Sequence, residues 1–237
     1  MVRKTALITG GAIRVGRAVA LALAEQGYDI ALHYNHSSKE AVQTVEDIKK
    51  FGVGVKLYQA NLSLPEQCRE LIERVFADNH LSILVNSAAI FPQEDSILGN
   101  LGDWDSVMGL NLRAPLLLAQ AFVDHAPIAS HIINILDART NQPGGDHLVY
   151  RLSKSGLWHL TESLARELAP NVQVNGLALG AILPPPGADQ DHFERMAEQI
   201  PLARTGSPKA VGDAVNFLVG QDFITGTVLP IDGGEFL

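Results

Sequence analysis

Short apolar runs alternate with longer amphipathic segments along the whole chain. Runs typical of buried strands occupy residues 5–9, 28–34, 55–61, 81–89, 131–136, 172–179 and part of 226–234. Apolar positions at helical spacing cover residues 14–27, 38–52, 64–79, 103–125, 148–170 and 208–220. This alternation predicts an α/β fold, a single Rossmann-type doubly wound parallel sheet of about seven strands with helices on both faces.

One segment breaks this rhythm. Residues 182–207 include three consecutive prolines, Pro184 to Pro186, which can continue neither a helix nor a central strand. We expect this segment to be an insertion that covers a substrate site, and a plain surface loop is the alternative. Residues 1–237 are otherwise expected to form a single domain, since this length suits one α/β core.

Composition and charge narrow the classes of function. The chain is 46% hydrophobic and 19% charged, as in globular proteins, and its net charge of −8 argues against nucleic acid and anionic membranes as partners. No apolar run reaches the ~18 residues of a membrane span. The single cysteine, Cys68, excludes an intrachain disulfide, which fits a cytoplasmic protein. The eight histidines are scattered, so we expect no metal site.

The turn after the first strand reads TGGAIRVG, from Thr9 to Gly16. Gly10 and Gly11 permit a tight turn and close approach of a pyrophosphate, while Gly16 lets the helix pack near the sheet. The turn follows a strand and opens a helix, whose N-terminal amides attract phosphates. Arg14 stands where a third glycine is usual and can bind a diphosphate, unless it is simply a solvated helix-face arginine.

The second strand ends in LHYNHSSKE, without an acidic residue before Glu40. An NAD site generally offers a carboxylate to the ribose hydroxyls there. Asn35, His36 and Ser37 instead suit a 2′-phosphate, so we expect NADPH, although His36 is equally compatible with an ordinary surface position. Asn61 is a weaker candidate for a contact near the adenine.

Tyr150 and Lys154, in YRLSK, lie four residues apart and therefore on one face of the predicted helix. A nearby lysine cation is expected to lower the pKa of the tyrosine phenol, which then serves as a proton donor near neutral pH. Lys154 is also expected to hold the nicotinamide ribose.

Several motifs together resemble the short-chain dehydrogenases/reductases: TGGAIRVG, ILVNSAA, GLNLRAP, YRLSK, NVQVNGLALG and ITGTVLPIDGG. The resemblance extends over essentially the whole chain. It implies a tetramer and a proton relay in which Asn111 holds a water, although Asn111 by residue type alone could just bridge buried backbone. The expected cofactor contacts are Gly10, Arg14, Val15, His33, Tyr34, Asn35, His36, Ser37, Asn61, Leu62, Asn86, Ser87, Ala88, Tyr150, Lys154 and Gly180.

Within that superfamily the chain looks most like the pteridine reductases. The features that carry this resemblance are Arg14 in the glycine turn, LHYNHSS, NILDARTNQP with Asp137 where a serine is usual, and Phe91 in NSAAIFP. An ionised aspartate would oppose the charge that develops on a ketone oxygen. It suits a pterin, whose ring presents N–H donors and needs a proton on nitrogen.

The sequence thus predicts an NADPH-dependent oxidoreductase that reduces a dihydropterin, and dihydrofolate if it fits, with Tyr150, Lys154, Asn111 and Asp137 as catalytic residues. Arg14, Phe91, Asp137 and Tyr150 are expected to bind the substrate, Phe91 by stacking on the flat ring. Asp137 as a turn cap and Phe91 as a core residue stay open. A carbonyl reductase, for example of 3-oxoacyl thioesters, and a non-catalytic nicotinamide-binding sensor are the alternative functions.

Overall fold

The computed structural model describes residues 3–92, 95–98, 103–184, 193 and 195–237. Its strands are β1 (Thr5–Ile8), β2 (Asp29–Tyr34), β3 (Val55–Gln59), β4 (Leu81–Asn86), β5 (Ser130–Asp137), β6 (Val172–Leu179) and β7 (Val228–Ile231). Its main helices are α1 (Arg14–Glu25), α2 (Ser38–Lys49), α3 (Pro65–Asp78), α4 (Trp104–Met108), α5 (Ala114–Val123), α6 (Leu148–Leu168) and α7 (Pro208–Val219).

The seven strands form one parallel sheet in the order β3-β2-β1-β4-β5-β6-β7. The order reverses between β1 and β4, which makes this the switch point where doubly wound sheets bind ligands. The predicted fold class is therefore confirmed. The carboxyl ends of β5 and β6 lie in register, with Asp137 opposite Leu179.

Alternate residues of each strand pack against helices on opposite faces of the sheet. Ile8 belongs to the core beneath α1, α2 and α7, whereas Leu7 belongs to the core beneath α3, α5 and α6. Both side chains are fully buried, which explains why the strands read as apolar almost throughout.

The predicted helix over 103–125 is divided. A π-helical turn, Gly109–Arg113, joins α4 to α5. Together these elements, Trp104–Val123, are long and apolar enough to cross a membrane by length and composition, contrary to the expectation from the sequence. Half of that apolar window is buried inside the domain, where Phe122 and Leu118 pack in the core against α3. The core therefore accounts for the apolar character of the helix.

The segment 182–207 is described only in part, since the bulk of its proline-rich half, 185–192, and residue 194 lie outside the described residues. Ile182 and Leu183 line the cleft described below. At the other end of the segment, a short 3-10 helix, Met196–Gln199, leads to Ile200, which is buried. The substrate-covering role of the segment stays a prediction.

Candidate active site

A cleft of about 470 Å³ runs along the carboxyl ends of the central strands, over the switch point. Most of the predicted site residues line it, and the glycine turn, the end of β2 and the start of α6 meet there. Of the predicted residues, the cleft lining contains Gly10, Arg14, Val15, His33, Tyr34, Asn35, His36, Ser37, Leu62, Ser87, Ala88, Asp137, Tyr150, Lys154 and Gly180. Asn61, Asn86, Phe91 and Asn111 are not part of this lining.

The glycine turn packs directly against the chain that follows β4. A Cβ atom on Gly10 would lie 3.0 Å from Ala88 Cα, and one on Gly16 would lie 2.2 Å from Gly10 O. Thr9 joins the two segments, because its hydroxyl accepts hydrogen bonds from Ser87 N at 3.0 Å and Ala88 N at 3.1 Å. Only a glycine-containing turn fits this space. The turn leads into the N-terminus of α1, which lines the cleft and whose backbone amides suit a phosphate.

His33 supports the glycine turn from below. Its Nδ1 accepts from Gly10 N at 3.0 Å, and its Nε2 donates to Ala60 O at 3.1 Å. Burial lowers the pKa of His33 to about 4, opposed in part by the bond to Ala60. The ring is therefore neutral with both nitrogens engaged. His33 also lines the cleft while its ring positions the glycine turn, and its contact with the cofactor stays a prediction.

Arg14 occupies a left-handed backbone conformation, with φ of 53°. This explains why glycine is usual at the position, since a left-handed conformation costs other residues roughly 1–2 kcal/mol. The guanidinium donates from Nη2 to Pro184 O at 2.8 Å and so joins the glycine turn to the segment that follows β6. Arg14 is thus more than a solvated arginine, and its contact with phosphates stays a prediction.

The cofactor-facing end of β2 carries no acidic side chain. Asn35, His36 and Ser37 all line the cleft there, beside the glycine turn. Gln59 Nε2 donates to Asn35 O at 3.0 Å and fixes the direction of the chain. The glycine cradle and these neutral polar groups fit a dinucleotide with a 2′-phosphate.

The phenol of Tyr150 faces the carboxylate of Asp137 rather than the ammonium of Lys154. Tyr150 Oη donates to Asp137 Oδ2 at 3.1 Å, whereas Lys154 Nζ lies 6.0 Å from the centre of the tyrosine ring. Burial raises the pKa of Tyr150 well above 10, and the charge and hydrogen bond of Asp137 raise it further. The expectation of a net lowering of the phenol pKa is therefore wrong for this arrangement, because burial and Asp137 determine the direction of the shift.

Lys154 is buried at the base of the cleft, on the same face of α6 as Tyr150. Its Nζ donates to Ile135 O at 2.8 Å. Burial lowers the pKa of Lys154 to about 8, although the Asp137 carboxylate acts in the opposite direction. The ammonium is therefore held by a carbonyl of β5 and by electrostatic attraction to Asp137.

Asp137 is the last residue of β5, and both of its carboxylate oxygens are engaged. Oδ1 accepts from Arg139 N at 3.0 Å and from Arg139 Nε at 3.2 Å, while Oδ2 accepts from Tyr150. The first contact caps the short 3-10 helix Ala138–Asn141, so the turn-capping alternative is also observed. Asp137 serves as a cap and at the same time faces the predicted proton donor.

Phe91 stands beside this pair. Its ring meets the Tyr150 ring edge-on, with centroids 4.7 Å apart, and lies 4.3 Å from the His147 ring. The side chain is 39% exposed, so the alternative of a core residue is wrong. The exposed aromatic surface near Tyr150 and Asp137 is available to a flat substrate ring.

Three predicted asparagines act within the protein rather than in the cleft. Asn111 closes on Ile90, accepting from its N at 2.9 Å and donating to its O at 3.0 Å, and also donates to Ser153 Oγ at 3.2 Å. Both of its amide hydrogens are thus used, and its side chain bridges the backbone of Ile90. A water relay through Asn111 stays a prediction.

The other two have similar internal roles. Asn86 is buried and donates to Asn134 Oδ1 at 2.8 Å, which ties β4 to β5. Asn61 Oδ1 accepts from Ser63 N at 3.1 Å, in a local turn. Both side chains thus have partners within the protein, and the predicted contacts of Asn61 and Asn86 with the cofactor stay predictions.

Asp95 supports the site although no motif in the sequence indicates it. Its carboxylate accepts from Val149 N at 2.9 Å and Tyr150 N at 2.8 Å, at the N-terminus of α6. His147, the residue that precedes the helix, makes no side-chain capping bond. Asp95 thus supplies the cap from a distant segment, and it fixes the turn of α6 that carries Tyr150.

Comparison with known proteins agrees with this geometry. A family model described as enoyl-(acyl carrier protein) reductase matches residues 11–235. The 3-oxoacyl-[acyl-carrier-protein] reductase FabG of Staphylococcus epidermidis is 32% identical over 99% of both chains. The chain belongs to the short-chain dehydrogenase/reductase family. It is therefore an oxidoreductase of that family. Its glycine turn and its Tyr150–Lys154 pair both line the cleft.

Two solved members of the short-chain dehydrogenase/reductase family are similar over nearly the whole chain. FolM alternative dihydrofolate reductase 1 from Brucella canis, complexed with NADP, superposes with a TM-score of 0.92 at 31% identity, covering 98% of this chain and 93% of its own. A short-chain dehydrogenase from Burkholderia cenocepacia, in complex with NADP, gives 0.92 at 31% identity, with coverages of 99% and 98%.

Proposed function

We propose that this protein is an NADPH-dependent pteridine reductase that converts a dihydropterin, and dihydrofolate if it fits, to the tetrahydro form. The observation that carries the proposal is the contact between Tyr150 Oη and Asp137 Oδ2 at 3.1 Å. It places an acceptor carboxylate, rather than a donor hydroxyl, beside the proton donor. The similarity to FolM from Brucella canis supports the same substrate class.

NADPH would lie along the cleft. The glycine turn would hold its diphosphate, and Asn35, His36 and Ser37 would face the 2′-phosphate. When bound, the cofactor supplies a hydride to a ring carbon of the substrate. The NADP complexes of the solved relatives support this cofactor.

The carboxylate of Asp137 suits a substrate that carries N–H donors. A carboxylate has about four lone-pair sites. Arg139 uses Oδ1 twice and Tyr150 uses Oδ2 once, which leaves an acceptor direction on Oδ2 for a donor of the substrate. A ketone oxygen would receive no hydrogen bond from this group and would meet its negative charge.

Tyr150 would deliver the proton. Burial and the neighbouring Asp137 hold the pKa of its phenol well above 10, so the proton stays on the oxygen until a stronger base develops beside it. A ring nitrogen gains basicity as the adjacent carbon is reduced, and Tyr150 Oη would then transfer its proton there. The ammonium of Lys154, 6.0 Å from the tyrosine ring, would stabilise the phenolate left behind.

Reduction of a 3-oxoacyl thioester is the second candidate function. The 32% identity to the FabG reductase of Staphylococcus epidermidis favours it, and the Tyr150–Lys154 pair serves carbonyl reduction equally. Asp137 at the end of β5 argues against it for the reason given above. The two candidates share fold and cofactor and differ only in the substrate group that Asp137 faces.

The test is NADPH oxidation by the purified protein with dihydrobiopterin, dihydrofolate, a 3-oxoacyl thioester and a simple ketone measured in parallel. We expect turnover of dihydrobiopterin and little of the ketones. Turnover of the thioester alone would replace the proposal by the second candidate. Tight NADPH binding without turnover of any substrate would favour the remaining alternative, a non-catalytic nicotinamide-binding sensor.

A further inference from the structure

Arg139 contacts both groups that would face the pterin. Its Nε donates to Asp137 Oδ1 at 3.2 Å, and its guanidinium carbon lies 5.6 Å from the centre of the Phe91 ring. The side chain is 29% exposed, so the contacts are made at the rim of the site rather than in the core. The motif NILDARTNQ indicates Asp137 by residue type, whereas nothing in the sequence alone marks Arg139, two residues further along the chain.

The contact fixes the direction of the Asp137 carboxylate. Arg139 contributes both its backbone N and its Nε to the same oxygen, Oδ1. With Oδ1 held in this way, Oδ2 is the oxygen that remains for the phenol of Tyr150. Without the guanidinium, one of two donors on Oδ1 is lost, and the carboxylate can rotate about its terminal torsion, which is broad in aspartate.

Arg139 is itself held by the start of α6. Arg151 Nη1 donates to Arg139 O at 2.7 Å, and Arg151 also binds Asp146 Oδ1 at 2.6 Å. Asp146 Oδ2 in turn lies 3.8 Å from Arg139 Nη1. The guanidinium therefore lies between two carboxylates, those of Asp137 and Asp146, which limits its movement.

We propose that Arg139 is a positioning residue for the reaction, which orients the Asp137 carboxylate toward Tyr150 and holds the Phe91 ring beside them. The inference rests on the proposed function in assigning the pterin to this face. The Arg139 guanidinium favours the position of the Phe91 ring by a cation–π contact at 5.6 Å, and 39% of the Phe91 side chain remains exposed to a substrate ring. Arg139 therefore contacts both Asp137, which accepts from the proposed proton donor Tyr150, and Phe91, on which the substrate ring would stack.

The test is a double-mutant cycle of wild type, Arg139→Gln, Asp137→Asn and the double variant. For each protein we would measure kcat and KM for dihydrobiopterin, the Kd of NADPH by fluorescence, and the melting temperature. Arg139→Lys keeps the charge without the planar guanidinium and serves as the conservative variant. Arg166→Gln, an exposed arginine in the last turn of α6, is the matched control.

We expect Arg139→Gln to lower kcat by about tenfold or more, within the range of general acid catalysis, without weakening NADPH binding. In the Asp137→Asn background the same change should barely affect kcat, because the carboxylate that it orients is gone. Arg139→Gln should also raise the KM for dihydrobiopterin through the lost contact with Phe91, and this increase should persist in the Asp137→Asn background. Arg139→Lys should recover part of kcat, and Arg166→Gln should match the wild type.

An equal loss of kcat in both backgrounds would mean that Arg139 acts on general structure, and unchanged kcat in Arg139→Gln would also overturn the inference. If Arg139→Gln does not fold, Arg139→Lys carries the same cycle. Because the cycle measures the coupling between Arg139 and Asp137, it is applicable with whichever substrate the wild type reduces. Turnover of a 3-oxoacyl thioester alone would therefore overturn the proposed function without deciding the role of Arg139.

Discussion

The phenol of Tyr150 donates to Oδ2 of Asp137 at 3.1 Å, while Lys154 donates to a carbonyl of β5. The proposed proton donor is therefore hydrogen-bonded to a carboxylate within the protein itself. This pairing keeps the phenol protonated, because burial and the Asp137 charge both raise the pKa of Tyr150. The carboxylate of Asp137 also accepts hydrogen bonds at the position where reduction of a carbonyl needs a hydrogen-bond donor to the developing oxyanion.

Tyr150→Phe should lower kcat by about 10²–10⁴, the usual contribution of a general acid, because the variant has no proton to transfer. NADPH binding should change little, since the aromatic ring and Lys154 remain. Steady-state kinetics and NADPH fluorescence titration measure the two effects. Tyr28→Phe, at a half-buried tyrosine outside the cleft, is the control. Retained turnover in Tyr150→Phe would remove Tyr150 from the chemistry.

His36→Asp should reduce the proposed preference for NADPH over NADH. The change introduces a carboxylate among the neutral groups at the end of β2, where it would repel a 2′-phosphate and accept from ribose hydroxyls. We expect the ratio of kcat/KM for NADPH over NADH to fall by about tenfold or more, since like charges in contact cost several kcal/mol. Glu40→Gln, at an exposed position of α2, should leave the ratio unchanged. A constant ratio in His36→Asp would place the phosphate elsewhere.

Asp95→Ala should reduce both stability and turnover. Loss of the cap on α6 is expected to cost about 0.5–2 kcal/mol of unfolding free energy. Because the lost bonds include the one to Tyr150 N, kcat should fall as well. Ser207→Ala removes the cap of α7, where the serine side chain accepts from Ala210 N, and should reduce stability alone. Equal kcat in the two variants would show that Asp95 has no role in placing Tyr150.

Acid should destabilise the protein partly through His33. Its folded pKa, about 4, is below its unfolded value of about 6.5, so the unfolded chain binds the proton more tightly. The contribution of this group to stability is therefore complete above pH 6.5 and is lost as the pH falls through about 4. Protonation of Nδ1 also breaks its bond to Gly10 N.

The check on this prediction is urea unfolding of the wild type and His33→Gln between pH 4 and 7. The variant should be less stable at pH 7 and should lose less stability on acidification. His159→Gln, at a histidine whose side chain is 87% exposed on α6, should keep the wild-type pH dependence. An identical pH dependence in His33→Gln would exclude His33 as the responsible group.

Local spacing was sufficient to predict the sheet, its helices and the cleft. Three motifs reach the cleft as expected: the glycine turn, the end of β2 and the Tyr150–Lys154 pair. Within each motif, the residues lie only a few positions apart in the sequence. The π-helical turn at Gly109–Arg113 leaves no comparable sign in the apolar pattern.

Contacts between distant segments account for the features of the site that the sequence did not indicate. Asp95 caps a helix 54 residues further along the chain, and His33 pairs with a backbone amide 23 residues before it. The direction of the Tyr150 phenol depends on Asp137 and on burial, neither of which the spacing of Tyr150 and Lys154 specifies. Residue type indicated which groups are chemically able to act, while the fold decided which partners they have.

The most direct test of the central claim is the substrate preference of Asp137→Ser compared with the wild type. The kcat/KM values for dihydrobiopterin and for a 3-oxoacyl thioester would be measured with NADPH in both proteins. The account predicts that the variant loses pterin turnover and gains carbonyl turnover, since a hydroxyl donor replaces the carboxylate acceptor beside Tyr150. Full pterin turnover in Asp137→Ser would contradict it, because the carboxylate would then have no part in selecting the substrate.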